Sequence, residues 1–110
     1  MRPMLQGAPG YIEEVIVDTL HFRGNFPQAI EVYALHAAAT DEPAVAADDG
    51  RWTLVVPRSA CAKDTEHAFS STLLLNVADR VATHVKLVII PDGGVKRLRV
   101  FGRRAVADQA

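Results

Sequence analysis

The 110-residue chain has a single cysteine, Cys61, so no internal disulfide can form and a disulfide-stapled scaffold is excluded. No run approaches the ~18 apolar residues of a membrane-spanning helix. The opening residues MRPMLQGAPG contain no apolar core of signal-peptide length. Charge of one sign is also missing. The 12 Lys and Arg stand against 13 Asp and Glu, a formal net charge of −1, which makes no electrostatic case for nucleic acid or for an anionic membrane surface. No internal repeat is visible, and no histidine pair has close ligand spacing such as H-x-x-x-H. These absences predict a cytoplasmic domain with neither nucleic acid nor membrane as partner. The length suits one domain, residues 1–110, with one hydrophobic core.

What is present is a series of short β-type runs between turn residues, which predicts an all-β antiparallel sandwich or barrel. A turn at Ala8-Pro9-Gly10 precedes a run from Tyr11 to Phe22, rich in β-branched residues at Val15, Ile16 and Val17. Gly24-Asn25-Phe26-Pro27 breaks it. Ala29 to His36 alternates as a half-buried strand. Ala37 to Gly50 reads as a long exposed loop around Pro43. Trp52 to Val56 is a short strand stopped by Pro57. Arg58 to Glu66 is polar and reads as loop. His67 to Leu75 suits a strand or, at Leu73 to Leu75, a helix, and Asn76 to Arg80 is a connection. Val81 to Ile90 and Val95 to Phe101 flank Pro91-Asp92-Gly93-Gly94 and predict a β-hairpin. In the return strand Leu98 and Val100 take one face, with Arg97, Arg99 and Phe101 on the other. Arg103 to Ala110 is expected to be a frayed tail.

Two segments carry more than periodicity. VDTLHFRGNFP, residues 17–27, resembles the V-D-T-A-H-F-K-G-N-x-P motif of the allantoicase family. THVKLVIIPDGGVKRLRVFG, residues 83–102, resembles the family's T-H-V-R-L-N-I-x-P-D-G-G-V-x-R-L-R-V-Y-G. A weaker third match lies within Leu54 to Phe69, where Asp64-Thr65-Glu66-His67-Ala68-Phe69 stands for an H-T-R-H-x-F-like piece. The resemblance runs from about Gly7 to Gly102. Departures are Leu20 for Ala, Arg23 for Lys, Asp64 for His, Glu66 for Arg, Lys86 for Arg and Val88 for Asn. Arg and Lys keep charge but differ in donor geometry.

The resemblance implies a jelly roll of galactose-binding-like type. Allantoicases look like two tandem jelly-roll repeats. This chain resembles the second, without the stretch that opens it, so the first strand or strands are expected to be missing. An edge left open in this way pairs with another chain or repeat. A homo-oligomer, or pairing with a missing repeat, is therefore expected.

The implied activity is hydrolysis of allantoate to ureidoglycolate and urea. Such a site needs a cation for the carboxylate, amide-like partners for the ureido groups and a group to move a proton. Arg23, Arg97 and Arg99 are candidates for the carboxylate, and Asn25 for a ureido group. His21 and His84 are the expected catalytic histidines, and Asp18 is expected to orient or assist one of them. His67 is a further candidate, and His36 reads as a solvent-facing strand end. His21, Arg23 and Asn25 are expected to form one cluster beyond a strand end. On a regular strand Asp18 would face the other way. No cofactor is expected. His21, His67, His84 and Asp18 are the groups a divalent metal would use, if folding gathers them. The alternative is a catalytically inactive jelly-roll fragment acting as a ligand-binding or assembly module, because fold alone does not fix function.

Overall fold

The computed structural model describes residues 9–37 and 45–105. Among the described residues seven antiparallel strands form two sheets. β1 (Gly10–Asp18) is central in the first. It pairs along its length with β7 (Arg97–Arg104) on one side. On its other side lie β4 (Glu66–Ser70) and then the two-residue β5 (Val81–Ala82). In the second sheet β2 (Ala29–Leu35) lies between β3 (Thr53–Ala60) and β6 (His84–Ile90). A 3-10 turn, Ser71–Leu73, follows β4.

The inward residues of both sheets make one core. Val15, Val17, Ile30, Val32, Val55 and Val56 have no exposed surface, and Ile12, Leu74, Ala82 and Val100 join them. β-branched side chains at alternate positions suit this half-buried pleated surface. In β1 the alternation slips by one, from Ile12 to Val15. Glu13 is an extra residue there, and the pairing with β7 shifts register between Ile12 and Glu14, as a β-bulge does. Gly102 lies at the bulge, where a Cβ would collide with the Tyr11 carbonyl oxygen.

Several expectations are corrected. The run from Tyr11 does not reach Phe22: the strand begins at Gly10 and ends at Asp18. β3 does not stop before Pro57 but continues to Ala60. Pro57 and Arg58 together face the single residue Glu31, between the pairs Ile30–Ser59 and Val32–Val56. β3 is an edge strand, and a proline at an edge bulge breaks no ladder hydrogen bond. Val81 to Ile90 is two strands. Val81 and Ala82 pair with β1, whereas His84 to Ile90 pair with β2, and Thr83 makes the crossing.

The hairpin is also replaced. β6 and β7 belong to different sheets, and residues 91–96 arch between them. A type I′ hairpin needs positive φ at both central residues, yet of Asp92 and Gly93 only Gly93 (φ +135°) adopts it. Arg103 and Arg104 are not tail. They extend β7 and pair with Tyr11 and Gly10. Ala105 N–H donates to the Pro9 carbonyl at 3.0 Å. Residues 106–110 of the expected tail, the turn residue Ala8, and residues 38–44 of the expected loop lie outside the described residues.

Core burial predicts a graded response to truncation. Ile30→Ala should lower the unfolding free energy by roughly 2–5 kcal/mol. Leu73→Ala, at a residue 55% exposed, should change it by no more than about 0.5 kcal/mol. Urea denaturation monitored by circular dichroism measures both.

Candidate active site

The two motif segments meet at one end of the sandwich. Asp18 closes β1 opposite Arg97 of β7 and Glu66 of β4, and cross-strand neighbours share a face. The Asp18 carboxylate is fully buried. Its Oδ1 accepts the Leu20 N–H at 2.9 Å, and its Oδ2 lies 3.4 Å from Arg97 Nε and 3.6 Å from an Arg99 terminal nitrogen. Arg99 also donates to Glu66 at 2.8 Å. Burial pushes the Asp18 carboxyl up. The Leu20 N–H, the Arg97 hydrogen bond and the charges of Lys96 and Arg97 outweigh that, so its pKa lies below the usual 3.8.

Beyond Asp18 the chain turns at once. Phe22 N–H donates to the Thr19 carbonyl at 2.9 Å, and His21 has φ +75°. This is a four-residue turn with a positive φ at its third position. The loop before β4 holds it in place. Thr19, fully buried, exchanges backbone and hydroxyl hydrogen bonds with Thr65 and donates its hydroxyl to the Ala62 carbonyl at 2.7 Å. Asp64 Oδ1 accepts the His21 N–H at 2.7 Å, and its Oδ2 lies 3.2 Å from the Arg23 guanidinium.

Next, residues 24–27 pack on the arch between β6 and β7. Gly94 N–H donates to the Asn25 carbonyl at 2.6 Å. A Cβ on Gly93 would lie 2.5 Å from the Phe26–Pro27 backbone, and one on Gly94 would enter the Phe22 ring. His21, Arg23, Asn25 and Arg97 are therefore brought to the same end, exposed to solvent. Because β1 stops at Asp18, strand alternation does not separate Asp18 from this turn.

His84 is not brought there. It begins β6, opposite Leu35, whereas the arch leaves from Ile90. Six residues at ~3.3 Å each put it about 20 Å from that end. Its Nδ1 lies 2.8 Å from the Thr83 hydroxyl, which also accepts the Ala37 N–H. His67 is bound on both ring nitrogens. Nε2 accepts the Ala62 N–H at 2.8 Å, so Nδ1 carries the proton donated to the Val17 carbonyl at 3.0 Å. It pins the 61–65 loop to β1. Among the described residues no three His, Cys, Asp or Glu side chains gather as a metal-binding group. A separate cavity of about 440 Å³ lies at the opposite end, with Ile12, Ala34, His36, Arg51, Asn76 and Arg80 in its wall.

Residues 4–105 match the family model described as the allantoicase repeat. The chain belongs to the allantoicase family. It is 52% identical over 100 residues to an allantoicase of Neurospora crassa, covering 91% of this chain and 27% of that protein. A solved structure of allantoicase shares 40% identity with a TM-score of 0.64, covering 90% of this chain and 26% of the other. The allantoicase structure from Saccharomyces cerevisiae gives 36% identity and a TM-score of 0.63, with 93% and 30% covered. The chain thus spans about a quarter of the relatives it matches. The all-β antiparallel sandwich expected from the allantoicase resemblance is the fold observed. Sequence reading missed Thr19 and Asp64 as organisers of the turn. Asp64 departs from the allantoicase pattern, and only the fold brings it to His21.

The depressed Asp18 pKa predicts an acid-sensitive end. A lowered folded-state value means that the unfolded chain binds the proton first. The stability Asp18 contributes is present above the unfolded value near 3.8 and is lost as pH falls through the folded one. Asp18→Asn should therefore lower stability at pH 7 and flatten its fall below about pH 4, as read from thermal unfolding at stepped pH.

Proposed function

We propose that the His21–Asn25 turn and Arg97 form an allantoate-binding and hydrolysing site. The observation that carries the reading is the meeting of both allantoicase motif segments at one end of the sandwich, tied by Asp18 to Arg97 and by Asn25 to Gly94. In the reaction, water oxygen joins the central carbon of allantoate and the bond from that carbon to one ureido nitrogen breaks. The departing nitrogen takes up a proton, giving urea and ureidoglycolate. Arg97, half exposed and oriented by Asp18, suits the substrate carboxylate, and Arg23, on the turn at the same end and paired with Asp64, is a second cation for it. The Asn25 side chain suits a ureido group, offering donor and acceptor together. The exposed His21 ring is the proton carrier of this site. Asp18 acts behind the site, holding Arg97, and Arg99 pairs with Asp18 and Glu66. His84, at the far end, is left out of this site.

The reading extends to assembly and location. A homo-oligomer or pairing with a second repeat would cover the open sheet edge at β3. A cytoplasmic setting accords with Cys61, which has no intramolecular disulfide partner. Among the described residues no helix is long and apolar enough to cross a membrane. The second reading, a binding or assembly module without chemistry, is favoured by the 440 Å³ cavity away from the motif end.

The purified chain should release urea from allantoate, with a rate per chain that rises with protein concentration if copies must pair. His21→Ala should slow release at least ~100-fold, and Arg97→Ala should raise KM. A folded chain that releases no urea at any concentration, with or without added divalent metal, would favour the module reading.

A further inference from the structure

We propose that Asp64 is the positioning residue of the His21–Arg23 turn, setting the backbone of His21 and the direction of Arg23 for the site inferred above, on which this inference rests. The argument begins with the turn itself. His21 is a non-glycine residue at φ +75°, a conformation that persists only where surrounding contacts over-determine it. Two carboxylates supply these contacts to successive N–H groups. Asp18 accepts Leu20 N–H at 2.9 Å, and Asp64 accepts His21 N–H at 2.7 Å.

Asp64 also closes a loop of contacts with the turn. Its own N–H donates to the Phe22 carbonyl at 3.1 Å, so residues 21 and 22 are both bound to it. Its second oxygen meets Arg23 at 3.2 Å. That guanidinium is 75% exposed, so the ion pair adds little stability; it restricts where Arg23 points. Asp64 is itself held, at φ +52°, between the Thr19–Ala62 and Thr19–Thr65 hydrogen bonds. The carboxylate is thus delivered to the turn by a loop 43 residues away in sequence, anchored independently through His67.

The charged and titratable groups facing Asp64 are His21 and Arg23 on the turn and Asp18 at the end of β1. The His21 N–H and the charges of Arg23 and His21 hold the Asp64 carboxyl below its usual 3.8, against partial desolvation and the like charge of Asp18. The turn is therefore held at neutral pH and released only in acid.

The test is proton–nitrogen NMR of the whole chain, following the His21 backbone amide across pH with and without allantoate. In the parent, the His21 amide shift should titrate in the acid range together with the Asp64 carboxyl. Asp64→Asn is chosen because Asn tolerates positive φ as Asp does. It should leave the circular dichroism unchanged while abolishing that titration. Asp64→Ala should lower hydrogen-exchange protection of the His21 amide about tenfold, the loss of one charge-assisted hydrogen bond. A His21 amide that titrates unchanged in Asp64→Asn, or keeps its protection in Asp64→Ala, overturns the proposal. Allantoate separates it from the functional reading. If the parent binds no allantoate but His21 still follows Asp64, positioning of the turn stands and the substrate reading fails. If allantoate binds the parent and Asp64→Ala alike, with the His21 amide indifferent, the substrate reading stands and the positioning fails.

Discussion

The buried carboxylate of Asp18 is the constraint on which the motif end depends. A charge removed from water must be met by donors or cations, and Asp18 meets them from two segments: Leu20 in the turn, and Arg97 and Arg99 on β7, Arg99 also pairing with Glu66 on β4. Those demands stop β1 at this residue and turn the chain back. They also fix β7 in register, with Asp18 opposite Arg97 and Lys96 N–H donating to the Asp18 carbonyl at 2.7 Å. The arch from β6 then has one place to lie. There Gly93 and Gly94 have no side chain to collide with the 22–27 segment. One paired charge and two glycines thus join residues about 70 apart in the chain into one surface.

Much of the fold was legible because burial in a sandwich imposes a period of two. The alternation read from Ala29 to His36 matches the buried Ile30, Val32 and Ala34 of β2, and Leu98 and Val100, read as sharing one face, both pack on the core. The errors arose where period two carries no information. A β-rich run does not state which sheet it joins, so Val81 to Ile90 read as one strand although Thr83 carries it between sheets. Asp-Gly reads as a hairpin whether the returning strand pairs with its predecessor or crosses to the other layer. At Glu13 the bulge shifts the inward face by one residue, and Pro57 sits at an edge bulge rather than at a strand end.

The candidate site was legible in part for a different reason. His21, Arg23 and Asn25 are neighbours in one loop, so their clustering follows from sequence once the strand stops. Arg97 joins them only through tertiary pairing, and the motif resemblance pointed to it where spacing could not. Asp64 was invisible for the same reason: it replaces the histidine of the allantoicase pattern and reads as a lost group. In the fold it supplies the acceptor for His21 N–H. His84 and His67 show the converse. Both lie in matching motifs, yet one begins β6 at the far end and the other has both ring nitrogens occupied by backbone partners.

The central claim is that the motif end, and not the cavity at the other end, receives the substrate. Residue-resolved NMR during titration with allantoate tests it most directly. The account predicts shift changes concentrated at residues 21–25 and 93–97. Changes concentrated instead at His36, Asn76 and Arg80, or none at millimolar substrate, would contradict it.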